Sequence, residues 1–136
     1  MEPKSIEIEL ICKKILRSTV LDVFYLLKME KEMTKMEIMQ AFAKYDPNPD
    51  VKITKFRGIV DISVAKLQGA MLIDYWQDGQ ADQYFINEYG DHAIDIMARL
   101  IEEEPSMLHG SRVVSKIQPE FDSEFETDSF QTTSEI

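Results

Sequence analysis

Between Met71 and Asn87 the chain holds two runs rich in β-branched and aromatic residues, MLIDYW and QYFIN, on either side of QDGQAD. An Asp-Gly pair between such runs is a strong short-range signal for an antiparallel hairpin. The rest of the chain has a helical rather than a two-residue period. Together these features predict a mostly α protein with a small β-hairpin, an α+β fold.

The segments before the hairpin read as successive helices. Residues 5–16 place Ile8, Ile11 and Ile15 at helical spacing. Strand alternation also fits residues 6–10, but the helical spacing continues to Leu16. In the next segment Thr19 is the expected N-cap and Asp22 the third helical residue, reaching back to the backbone. Val20, Val23, Phe24, Leu26 and Leu27 form its apolar stripe. Thr34 and Glu37 form a T-x-x-E capping box, with Met33 and Ile38 at the staple positions. Ile38, Met39, Phe42 and Tyr45 mark the buried side of that helix, and the DPNPD run at 46–50 ends it.

Thr54 is the expected cap of the following helix. Phe56, Val60, Val64 and Leu67 form its buried stripe, and Lys55, Arg57, Gly58, Asp61, Ile62 and Lys66 lie on the opposite face. Gly58 and many β-branched residues give it a weak intrinsic propensity, so tertiary packing must hold it. In the hairpin, one of Tyr75 and Trp76 is expected to face the core and the other solvent. Asp91 is the expected cap of the helix after the hairpin, which carries Ile94, Met97, Ala98 and Ile101 on one stripe and stops at Pro105. Val113, Val114 and Ile117 are candidates for one further short element.

The 136 residues suit one domain, 1–118 with its core at about 17–104, followed by a tail at 119–136. Charge divides along the chain. Residues 1–69 carry 12 basic and 10 acidic side chains, residues 70–118 carry 3 and 9, and residues 119–136 carry none and 6. Only the first part attracts a polyanion. The tail composition predicts disorder, although its Phe121, Phe125 and Phe130 are unusual there. No apolar run reaches the about 18–20 residues that span a bilayer, so no membrane association is expected. Acids interrupt the N-terminal apolar stretch, which argues against a signal peptide. Cys12, the one cysteine, excludes an internal disulfide and fits a reducing, cytoplasmic setting.

The order helix, helix, turn, helix, hairpin, helix resembles a winged helix-turn-helix domain with an extra N-terminal helix. KLQGAMLID resembles that superfamily's pattern L-x-x-x-G-L-I at the end of the recognition helix and the first wing strand. QYFINEYGDHAIDIM resembles its pattern Y-x-L-T-x-x-G, with Tyr84, Ile86, Asn87 and Gly90 on the pattern and Asn87 at the Thr place. The likeness is to small PadR- and MarR-type bacterial transcription regulators, over about residues 17–101. The chain departs from them at Met71, where glycine is usual, and in a wing that carries Asp74, Asp78 and Asp82 but no basic residue.

That resemblance implies a transcription regulator that binds double-stranded DNA as a homodimer, with the third core helix in the major groove. By position, the contacts would come from Lys52, Thr54, Lys55, Arg57, Gly58 and Lys66. Asp61, one turn after Arg57, is expected to pair with it, for about 0.2–0.5 kcal/mol. The stripes of Ile8, Ile11 and Ile15 and of Ile94, Met97 and Ile101 either form the dimer contact or close the monomer's core. The alternative function is a protein-interaction module whose acidic wing and tail bind a basic protein partner, without DNA. Neither reading requires a cofactor. His92 with Asp91 and Asp95 is a poor metal set, and no catalytic triad or phosphate loop is present, so the chain is read as non-enzymatic.

Overall fold

The structure, a computed structural model, describes residues 6–117. The acidic segment 119–136, expected to be a disordered tail, lies outside the described residues. The elements run α1 (Ile8–Ile15), α2 (Ser18–Glu30), β1 (Glu32–Met33), α3 (Lys35–Tyr45), a 3-10 turn (Ile53–Phe56), α4 (Arg57–Gly69), β2 (Ile73–Asp78), β3 (Ala81–Ile86), α5 (Glu88–Glu103) and a second 3-10 turn (Pro105–Leu108). The strands form one antiparallel sheet in the order β1-β3-β2. The architecture is thus α+β, mostly helical with a small sheet.

α2 is the centre of the core, buried continuously from Val20 to Leu27. It packs against α4 on one side and β3 on another. The expected capping of α2 does not occur. Its N-cap is Arg17, and the Thr19 hydroxyl instead accepts from Ser63 Oγ of α4 at 3.2 Å. Asp22 does not reach back to the helix start. It is fully buried and accepts from Ser111 Oγ at 2.6 Å, Arg112 N at 2.6 Å and Val114 N at 2.9 Å. A helix buried on all sides cannot offer its acid water, so the segment after the last 3-10 turn supplies the donors. Val113 and Val114 are themselves buried beside it.

α3 follows its sequence closely. Thr34 Oγ1 accepts from Glu37 N at 3.1 Å and Thr34 N donates to Glu37 Oε1 at 2.8 Å, closing the capping box. Beyond Tyr45, Asp46 and Asn48 side chains accept from Asn48 N and Asp50 N, turning the chain out of the helix. α4 starts later than expected. Thr54 lies within a 3-10 turn and caps nothing, and the α-helix begins at Arg57. Its buried stripe is as predicted: Phe56, Val60, Val64 and Leu67, joined by Ser63.

The chain leaves α4 through Met71 at φ 63°, in the left-handed region. A bulky residue is strained there, whereas glycine adopts that conformation at no steric cost. The hairpin then pairs Asp78 with Ala81 across a Gly79-Gln80 loop, with Gly79 at φ 65° as a hairpin turn requires. The cap of α5 is Asn87 rather than Asp91: Asn87 Oδ1 accepts from Gly90 N at 2.7 Å. Gly90 is held against the backbone just before β2 and the end of β3, where a Cβ would lie 2.0 Å from Leu72 O and 2.7 Å from Ile86 Cγ2.

α1 and α5 pack on each other. Cys12, Met97 and Leu100 are buried, and Ile8, Ile15, Ile94 and Ile101 are partly buried against the core. Much of both stripes therefore closes the single chain. Arg99 hydrogen-bonds Glu9 across the contact, and Lys13 and Arg17 pair with Glu104. No helix among the described residues is long and apolar enough to cross a membrane.

Candidate nucleic-acid interface

The turn before α4 and the helix itself present the predicted residues. Lys52, Thr54, Lys55, Arg57, Gly58 and Lys66 are all exposed. Five of them, Lys52 to Gly58, cluster around the N-terminal end of α4. Lys66 does not join them. Nine residues separate it from Arg57, about 13 Å along the axis and half a turn out of phase. Arg57 and Lys66 thus edge opposite sides of the exposed face. Between them runs a shallow stripe of Gly58, Ile62, Ala65 and Gly69, all exposed. Ile62 is 59% exposed, and a Cβ at Gly58 would meet nothing within 4 Å.

The expected pair of Arg57 with Asp61 does not form. Asp61 Oδ1 instead meets Lys35 Nζ of α3 at 3.0 Å. Lys35 also lies 5.9 Å from the Tyr84 ring centre. Desolvation works against its charge, but Asp61 and Tyr84 together hold its ammonium above the usual value. Arg57 makes no ion pair with another described residue.

Two cations frame Phe56 just before α4. Lys55 Nζ lies 5.7 Å from its ring centre and 3.8 Å from Asp46 Oδ2. Arg112 Cζ lies 5.9 Å from the same ring centre. Arg112 was not among the residues expected from the sequence. It stands 55 positions after Arg57, and the hydrogen bonds to Asp22 together with the burial of Val113 and Val114 bring its segment here. No local pattern carried that signal.

The hairpin is chemically opposite. Asp74 and Asp78 are exposed, Asp82 is half-buried, and the hairpin holds no base. Tyr75 and Trp76 are both exposed, at 52% and 44%, so neither faces the core as one of them was expected to do. β2 is an edge strand that projects past the helices, and only Ile73 at its base is buried. Tyr75 leans on Tyr84 across the pair, 5.8 Å between ring centres, and Trp76 Nε1 donates to Glu32 Oε1 at 3.0 Å. Asp74 Oδ2 accepts from Asn87 Nδ2 at 3.2 Å, so it also steadies the start of α5.

An open groove of about 740 Å³ lies between α1, the end of α4 and β2, lined by Ile11, Ile15, Lys66, Met71, Asn87 and Tyr89 among others. His92 and His109 are exposed, and among the described residues no three His, Cys, Asp or Glu side chains are placed to hold a metal ion. Burial, reinforced by Glu9, pushes the Cys12 thiol up to about 11, so it stays protonated at neutral pH and is a poor nucleophile. Compared with known proteins, the chain matches no family model, no curated protein and no solved structure.

Proposed function

We propose that this chain is a winged-helix transcription regulator that binds duplex DNA as a homodimer, with α4 in the major groove. The observation that carries the reading is the capture of Asp61 by Lys35, which leaves Arg57, beside Lys52 and Lys55, without an ion pair among the described residues. A guanidinium in that state is suited to bidentate contact with guanine or phosphate. The small residues along the exposed stripe favour close approach of α4 to a groove, and Ile62 suits a thymine methyl. The succession of α2, β1, α3, α4 and the β2–β3 hairpin, with β1 pairing β3, supports the winged-helix assignment. A dimer would double the phosphate contacts, and the exposed Leu10 of α1 and Ile6 just before it are available for one.

Selection from a random duplex pool followed by fluorescence anisotropy tests this. Affinity should fall with salt by about 0.9 log units per log unit for each phosphate neutralised. Arg57→Ala should weaken the selected site by about 1–3 kcal/mol. No enrichment at low salt, or full affinity in Arg57→Ala and Lys55→Ala, refutes the reading.

The hairpin favours a second reading, a protein-interaction module. Exposed Tyr75 and Trp76 among Asp74, Asp78 and Asp82 suit a basic partner better than phosphates. On that reading a Tyr75→Ser/Trp76→Ser variant loses the partner, whereas Arg57→Ala keeps it.

A further inference from the structure

We infer that the acidic segment 119–136 docks in cis on the exposed face of α4 and its preceding turn, covering Lys55, Arg57 and Ile62. Three observations converge on this occupant. The first is where the described chain ends. Asp22 clamps the backbone of Arg112 and Val114 at 2.6 and 2.9 Å, and Arg112 and Lys55 share the Phe56 ring. Their charges are therefore no farther apart than the sum of those two ring distances. The described chain ends at Ile117, five positions after Arg112 and so within about 17 Å of it.

The second is length. Residues 118–136 can extend over about 60 Å at about 3.3 Å per residue, whereas the 13 residues of α4 span about 20 Å. The segment can lie along the whole helix without strain. The third is chemical match. Its six acids and no bases are interleaved with Phe121, Phe125 and Phe130. The receiving face has cations at its edges, Arg57 and Lys66, and an apolar stripe centred on the exposed Ile62. Acids meet the edges while a phenylalanine covers the stripe. Tethering makes the encounter intramolecular, at an effective concentration on the order of millimolar. Competition with DNA rests on the function proposed above; the docking itself does not.

The test uses the full chain with a nitroxide on Ser123→Cys. Cys12 is fully buried and does not compete for the label. Docking predicts paramagnetic broadening of the Lys55, Arg57, Gly58 and Ile62 amides at low ionic strength. The broadening should fade at about 1 M salt, where the screening length is about 3 Å. It should also fade when the six acids become amides, or when the three phenylalanines become serines.

Broadening confined to residues 111–117, or centred on the groove beside Met71, overturns the inference. So does broadening seen only between a labelled and an unlabelled molecule, which identifies a second copy as the occupant. The serine variant keeps the net charge, so it separates docking from general repulsion of a polyanion. It should bind duplex DNA about 10-fold more tightly than the parent chain at low salt. Equal affinity overturns the competition. Docking in a protein that binds no DNA in either form upholds the docking and refutes the proposed function.

Discussion

Asp22 is the residue whose removal should tell most about how this chain is held together. Its carboxylate accepts from Ser111 Oγ, Arg112 N and Val114 N, and only the last of these bonds is fully buried. Asp22→Ala strands the Val114 N–H, at about 1–3 kcal/mol, and removes two half-exposed bonds worth about 0.5–1.5 kcal/mol each. Part of this is offset because no carboxylate needs desolvating. The expected net loss is about 2–4 kcal/mol, a large share of the about 5–15 kcal/mol typical of a domain. Asp22→Asn keeps one acceptor oxygen but turns an amide donor toward another donor, for about 1–3 kcal/mol. Urea unfolding followed by circular dichroism gives the global loss, and amide exchange at Arg112 and Val114 reports release of the segment. A loss below about 0.5 kcal/mol with unchanged exchange at Val114 would refute the clamp. The pH dependence has a definite sign. Burial raises the Asp22 carboxyl above its usual 3.8, against the pull of Ser111, Arg112 and Val114. The folded chain therefore binds that proton more tightly than the unfolded chain. The resulting stabilisation is complete below 3.8 and is lost as the pH rises through the native value. Wild-type stability relative to Asp22→Asn should decline across that window.

Three other perturbations have signs fixed by local geometry. Met71→Gly relieves left-handed strain at a residue that is 71% exposed; about 1–2 kcal/mol of relief less about 0.5–1 kcal/mol of chain entropy leaves a net gain of about 0.5–1 kcal/mol, read as a melting shift of about 3 °C. Gly90→Ala drives a methyl into Leu72 O, a backbone atom that cannot swing aside, and should cost about 1–3 kcal/mol in urea unfolding. The Arg99 hydrogen bond holds the Glu9 carboxyl below its usual 4.5; its stabilisation is present above 4.5 and is lost as the pH falls through the native value. An NMR titration of Glu9 should accordingly move back toward 4.5 in Arg99→Met.

What was legible in the sequence was whatever the chain settles within a few residues. The Thr34–Glu37 box spans one helical turn, Gly79 makes its own turn, and the Phe56–Leu67 stripe follows from helical period alone. Caps failed where tertiary contacts outbid them: Thr19 turns to Ser63, and Asp22 to a segment about 90 residues away. The two-residue β1 had no period to display, and it exists because Lys31, at φ 75°, turns the chain beside β3. Tyr75 and Trp76 could not be assigned to the core or solvent because alternation does not say where a strand outruns the layer beneath it. At the candidate interface, periodicity identified the exposed face of α4. It could not choose between Arg57 and Lys35 as the partner of Asp61, since that choice depends on how α3 lies against α4. Arg112 was invisible for the same reason.

The choice made by Asp61 has a consequence for recognition. Had it paired with Arg57, the start of α4 would present Lys52 and Lys55 with a neutralised arginine, while Lys35 stood as a separate charge on α3. With Lys35 as the partner, the neutral pair sits on the α3 side, and the Arg57 guanidinium, which pairs with no other described residue, stays with Lys52 and Lys55 at the start of α4. The hairpin carries the opposite sign, with three aspartates and no base. At a screening length of about 8–10 Å, a ligand spanning both regions feels attraction at one end and repulsion at the other. Such a surface does more than attract a polyanion: it favours one orientation, with the anion on the turn before α4 and away from the hairpin. A duplex engaged in that way would be read by α4 with little contribution from the hairpin, leaving Tyr75 and Trp76 accessible to a protein. The two proposed functions therefore draw on different faces of the fold, and the Arg57→Ala and Tyr75→Ser/Trp76→Ser variants separate them.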